Sequence, residues 1–99
     1  MVDLSKVIGF DWDQGNARKN ERHGVTAAEA EQVFFNVPLL LLDDSRHSDS
    51  EFRYHALGKT VEARRLHLSF TLRNEATKIR VISARDMSRK ETAVYEQAS

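Results

Sequence analysis

The chain has no cysteine, so disulfides and thiolate metal ligands are excluded, which fits a reducing cytosol. One proline and four glycines leave no room for a Pro/Gly-rich linker or a low-complexity segment. Long apolar runs are missing as well. The longest, "VPLLLL", falls far short of the ~20 residues that span a bilayer, and nothing supports a membrane role. The opening "MVDLSKVIGF" lacks the basic start and apolar core of a secretory signal, so a cytoplasmic location is expected. Net charge is absent too. Fifteen Lys and Arg balance fifteen Asp and Glu, so no global basic field announces a nucleic-acid binder.

What remains is ordinary for a soluble globular protein: 40% hydrophobic and 30% charged residues. Residues 1–99 are expected to form one domain, because half the chain could not build a core, whereas the whole buries roughly 65% of its unfolded surface. "KVIGFDW" alternates Ile8, Phe10 and Trp12 as a short strand. Asp13 then caps a polar helix through "DQGNARKNERHG", with Gly24 as its C-terminal cap. "TAAE" is a capping box for a second helix, whose stripe is Ala27, Ala30, Val33 and Phe34. Val25 staples its start and Pro38 helps to end it. "LLLLD" reads as a buried strand, followed by the acidic loop "DDSRHSDS".

"FRYHALG" and "RRLHLSFTLR" follow as strands. In the second, Leu66, Leu68, Phe70 and Leu72 point inward, and Arg65, His67, Ser69, Thr71 and Arg73 point the other way. "RNEAT" makes a hairpin loop, and "KIRVISA" returns antiparallel. Apolar residues on both parities of "KIRVIS" predict a central strand covered on both faces. A second capping box, Ser88 with Glu91, starts a last helix that buries Tyr95. The order β-α-α-β-β-β-β-α predicts an α+β fold: an antiparallel sheet of four to five strands with helices on one face. The other face would be a shallow concave surface lined by Arg53, His67 and Arg73 or their opposite-parity neighbours. Charge is uneven along the chain. Residues 73–90 hold six cations against two acids, a weak pointer to a basic face.

In this order, "FDWDQGNARKNERHGVTAAEAEQVFFN", "PLLLLDD", "HSDSEFRYHALGKT", "RRLHLSFTLR" and "IRVISARDMSRKETAVYE" resemble the BrnT toxin family nearly end to end. The most specific pieces are the "HGV" turn, the "HSxxExR" stretch and "ISARDMSRKE". The resemblance implies a RelE-like fold and an endoribonuclease toxin of a type II toxin–antitoxin pair, acting on RNA in the cytosol. It also implies a BrnA-type antitoxin partner, through which the complex reaches DNA, and it is compatible with a homodimer within that complex. One departure is visible: family members often carry Lys before the His of the turn, where this chain has Arg22, which keeps the cation and changes its geometry.

RNA cleavage without a metal needs a base for the 2′-hydroxyl, an acid for the leaving 5′-oxygen, and cations for the developing charge. His, Glu and Arg supply these roles. On that ground, and with the resemblance, the candidate catalytic residues are His23, Glu51, Arg53, Arg73 and Arg85. Lys19, Arg22, Arg80 and Arg89 are candidate RNA contacts. Each has a plainer reading. His23 can cap a helix end, Glu51 and Arg53 can be a surface ion pair, and Arg73 can simply flank a turn. His47 reads as loop hydrogen bonding, and His55 and His67, in strands of different phase, read as packed cross-strand histidines. Arg85 leaves a strand just before the free amides of a helix start, where a phosphate could be held by side chain and dipole together. Arg89 and Lys90 run against that dipole's preference for acids.

No metal site is expected, because the four histidines show no i,i+4 pair and no short H-x-H. There is no Gly-rich phosphate loop or nucleophile elbow either, and no cofactor is implied. A non-catalytic interaction module, serving an obligate partner in a DNA-binding regulatory complex, is the alternative to the ribonuclease.

Overall fold

A computed structural model describes residues 2–13, 15, 23–44 and 52–98. Its elements are β1 (Gly9–Phe10), α1 (Ala27–Phe35), β2 (Leu40–Asp44), β3 (Arg53–Lys59), β4 (Arg65–Arg73), β5 (Lys78–Asp86) and α2 (Arg89–Ala98). The sheet order is β1-β5-β4-β3-β2. The polar helix expected from Asp13 to Gly24 falls largely outside the described residues. Gly24 itself has φ +70°, the left-handed conformation that suits a helix-ending glycine.

β2 to β5 form the expected antiparallel meander, but β1 runs parallel to β5, so the sheet is mixed. A hairpin forces antiparallel pairing on neighbours in sequence. β1 reaches β5 only after the whole meander, so no hairpin dictates its direction. It is docked by the Ile8 and Asp11 amides, which donate to the Thr77 and Ile79 carbonyls at 2.8 Å each. The "LLLLD" strand is not buried. β2 lies at the sheet edge, with Leu39 and Leu41 against the core and Leu42 42% exposed.

Strand alternation in β4 is as expected: Leu66, Leu68 and Phe70 are fully buried against Val25, Ala30 and Val33. Phe34 meets the Phe70 ring edge-on at 5.1 Å, and the Tyr54 ring lies 5.5 Å from it. β5 departs from simple alternation. Ser69 pairs with Ser83 but Phe70 with Val81, so Ile82 is the extra residue of a β-bulge. The apolar residues on both parities of "KIRVIS" therefore record a change of phase, not a strand covered on both faces. Ile79 and Val81 face the core before the bulge, and Ala84 does so after it. β1 pairs with β5 only at Lys78 and Ile79.

The helices lie on opposite faces, not on one. α1 packs its Ala30 and Val33 on the Leu66–Phe70 side. α2 contacts β3, and its Glu91 bonds Arg85, which stands across from His67 on the other side. Tyr95 and Leu57 are buried there, outside the main core cluster, so α2 covers one end of that face. Tyr95 also donates its hydroxyl to the Pro38 carbonyl at 2.6 Å.

Both capping boxes form. Thr26 Oγ1 accepts from the Glu29 amide while Glu29 accepts from the Thr26 amide, and Ser88 and Glu91 repeat the exchange. Arg64 clamps the start of α1 to the end of β5. Its guanidinium donates to Asp86 Oδ1 and Oδ2 (2.8 and 3.1 Å), to the Gly24 carbonyl (2.8 Å) and to Glu29 Oε2 (3.1 Å). The two carboxylates are held below their ordinary range, Asp86 by the Arg64 hydrogen bonds and Glu29 by the Thr26 amide first and then by Arg64.

α1 approaches β3 most closely at Gly58, where a Cβ would stand 2.7 Å from Val33 Cγ1. Val33 is fully buried and cannot swing away. Gly58→Ala should therefore destabilise the fold by about 1–3 kcal/mol, as overpacking does, measured as a lower urea midpoint with unchanged slope.

Candidate active site

The face opposite α1 carries the candidate site. Register places His67 across from Arg85 and His55 across from Ser69, so three neighbouring strands bring the two histidines and Arg85 together. The imidazole centroids of His55 and His67 are 4.9 Å apart, and His55 Nδ1 shares a hydrogen bond with Ser69 Oγ at 3.2 Å. Arg85 donates through Nη1 and Nη2 to the two oxygens of Glu91, at 2.7 and 2.8 Å, and Nη1 also reaches the Asp86 carbonyl at 3.1 Å. Glu91 Oε2 lies 3.9 Å from His67 Nε2.

Charge follows from these contacts. The Arg85 hydrogen bonds, helped by the Ser88 amide, pull the Glu91 carboxyl down to about 2 despite its partial burial. Glu91 is thus a fixed anion and a poor base. Arg85 is raised in turn by Glu91. Burial pushes His67 below its ordinary value; the Glu91 charge works the other way, and Arg85 and His55 add to the lowering. At neutral pH His67 is therefore the neutral imidazole, the form able to accept a proton. Its Nδ1 is buried with no hydrogen-bond partner in the described structure.

Of the candidate residues, Arg53 opens β3 and shares a face with His55 by alternation. Arg73 closes β4 on the same face, six residues from His67, about 20 Å along the strand. It does not stand beside Arg85. Arg80 is engaged by Asp13 (2.8 Å) and Asp11 (3.6 Å). Arg89 is exposed in the first turn of α2. His23 is exposed beside Gly24 and shares no hydrogen bond or ion pair with Arg85, His67 or Glu91. Glu51, Lys19, Arg22 and His47 lie outside the described residues. Among the described residues no group of three or more His, Cys, Asp or Glu could hold a metal. No helix there is long and apolar enough to cross a membrane.

The helix start beside Arg85 is partly occupied, its Ser88 and Glu91 amides being taken within the capping box. Glu91 already takes the Ser88 amide and one edge of the Arg85 fork. Three members of this group, Glu91, His55 and His67, are not legible as such in the sequence. Glu91 is legible as a cap but not as the Arg85 partner. His55 and His67 look out of phase until the hairpin register pairs Lys59 with Arg65, which puts both on one face. That register was available from the loop length between the two strands.

The Arg85–Glu91 pair makes a pH prediction. A carboxyl held at about 2, against an ordinary 4.5, contributes stability that is complete above about pH 4.5 and is lost as pH falls toward 2. With Arg85 41% exposed, solvent screening limits the effect to roughly 1 kcal/mol. Arg85→Ala should be less stable than wild type at pH 6, and the gap should close on acidification to pH 2, measured by urea unfolding across a pH series.

Comparison with known proteins supplies a family. No curated protein matches the chain significantly. The model of a family described as the ribonuclease toxin BrnT of type II toxin–antitoxin systems matches residues 12–91, taking in every strand from β2 to β5, the α1 helix and Glu91 at the start of α2. The chain belongs to the BrnT family of ribonuclease toxins.

Proposed function

We propose that this protein is an endoribonuclease that cuts RNA by attack of the 2′-hydroxyl on the adjacent phosphate, with no metal required. The observation that carries this reading is the convergence of His55, His67 and Arg85 on one sheet face. Neutral His67 takes the 2′-hydroxyl proton. The oxygen then bonds to phosphorus, the bond to the 5′-oxygen breaks, and His55 donates a proton to that leaving oxygen. Arg85 stabilises the charge that builds on the phosphoryl oxygens. The products are a 2′,3′-cyclic phosphate and a 5′-hydroxyl end.

Arg53 and Arg73, spaced along the same face, suit the neighbouring phosphates of a bound strand. Arg80 and Arg89, with Lys19 and Arg22 of the chain's first half, would add further RNA contacts. Roles for His23 and Glu51 rest on the resemblance alone.

A type II toxin implies an antitoxin partner. For this chain we assign a BrnA-type protein, with DNA reached only through the complex, a homodimer within it, and action in the cytoplasm. Residues 1–99 serve as one RelE-like toxin domain. Phe35 and Ile8, 79% and 80% exposed, support a protein partner by giving it apolar surface to cover.

Purified protein should cleave RNA in EDTA and leave 2′,3′-cyclic phosphate ends; cleavage lost to chelation and restored by a divalent metal would overturn the mechanism. In the same assay Arg85→Ala should cost ~10²–10³ in single-turnover rate, as loss of a charge-stabilising donor does, with circular dichroism confirming the fold. Co-expression with a neighbouring small antitoxin gene should raise both yield and Tm, because partner binding stabilises the folded state by mass action. Co-purification no better than that of unrelated proteins would remove the antitoxin assignment.

A further inference from the structure

The Arg85 guanidinium has five N–H donors. Nη1 serves Glu91 Oε1 and the Asp86 carbonyl, and Nη2 serves Glu91 Oε2. The other two, Nε–H and the second Nη2–H, lie together on the adjacent edge of the planar fork, which shares Nη2 with the first. Neither meets an acceptor among the described residues. Arg85 Nε is also not a buried, unpaired atom. One edge of the fork is thus filled by protein, and a second edge, equally suited to two oxygens of a phosphate, is open.

Glu91 is itself held in place. Its Oε1 accepts from the Ser88 amide at 2.9 Å, and its own amide donates to Ser88 Oγ at 3.1 Å, so the first turn of α2 fixes the carboxylate before Arg85 meets it. Among the described residues the same carboxylate is the anion that faces His67, at 3.9 Å. The other charged or titratable groups against that imidazole are Arg85 from β5 and His55 from β3.

We propose that Glu91 is the positioning residue of the RNA-cutting site: it grips Arg85 by one edge so that the adjacent edge, Nε and Nη2, receives the scissile phosphate beside His67. The proposal rests on the ribonuclease reading and deepens it. A long arginine on a strand samples many rotamers; tied at one edge, it presents the other in a single orientation. The carboxylate also tunes its neighbour. Removing its charge takes away the anion that raises His67, so His67 titrates at lower pH.

The test is Glu91→Gln, which keeps an acceptor for the Ser88 amide but turns an amide NH2 or a neutral oxygen toward Arg85. In single-turnover cleavage the rate at saturating RNA should fall about 10–100-fold, the usual range for loss of a residue that orients a working group, while the RNA concentration for half-maximal rate changes little. The acid limb of the pH–rate profile should move to lower pH, and the NMR titration of the His67 Cε1 proton should move with it. Glu91→Asp, which keeps the charge on a shorter arm, should restore the acid limb but not the rate, and serves if the Gln variant fails to fold. A Glu91→Gln protein that cuts at the wild-type rate with an unmoved acid limb overturns the proposal and leaves Glu91 a helix cap. Wild-type protein that cuts no RNA overturns the ribonuclease reading. The His67 titration still decides the Glu91 contact in that case, and an unchanged midpoint in the Gln variant overturns it.

Discussion

The site depends on one misplaced residue in a strand. Ile82 is the extra member of the β5 bulge, and it changes which way everything after it points. Ile79 and Val81 face the core; unbroken alternation would continue with Ser83 and Arg85, driving a guanidinium into the packed layer beneath α1. With the bulge, Ala84 takes the inward position at no exposure, and Arg85 crosses to stand opposite His67. Asp86 then falls back on the α1 side, where Arg64 waits for it. A bulge commonly re-aims a side chain near a functional site, and here it sorts two neighbouring charged residues to two different tasks.

Around that arginine the chain builds a site of opposed charges in which each group limits its neighbour. Arg85 lowers Glu91 so far that it stays an anion, and the anion keeps Arg85 from wandering. His67 sits between burial, which favours its neutral form, and Glu91, which favours its cation. The network therefore supplies a fixed cation and a neutral imidazole side by side, within a protein whose charges sum to zero. Local arrangement gives this protein what its net charge withholds.

Much of the fold was legible because periodicity and capping speak for themselves. The Thr26 and Ser88 boxes, the α1 stripe and the β4 alternation all follow from spacing alone. The parallel seat of β1 was not legible, since nothing local to Gly9 and Phe10 names their partner. Placement of α2 on the second face was equally hidden, because its fixing contacts are polar and its apolar stripe is nearly empty beyond Tyr95. At the site, Arg85 and Arg53 were visible as unusual cations, but the partnership with Glu91 needed the bulge, and the bulge looks in sequence like a strand covered on both sides. His55 and His67 look out of phase in the sequence because only the hairpin register that joins their strands puts them on one face.

Two of the tethers of the last helix lie along one line, Glu91 to Arg85 near its start and the Tyr95 hydroxyl to the Pro38 carbonyl one turn later, and Arg65 adds a third by donating to Glu96 at 2.6 Å. Residues four apart share a face of a helix, so both anchors pull on the same side. Two anchors along one line remove both rotation about the helix axis and sliding along it, which a single contact or a greasy stripe leaves partly free. The angular setting of α2 is consequently dictated by polar groups of the sheet and of the segment after α1, and Arg89 and Lys90 stay exposed because that setting turns them to water.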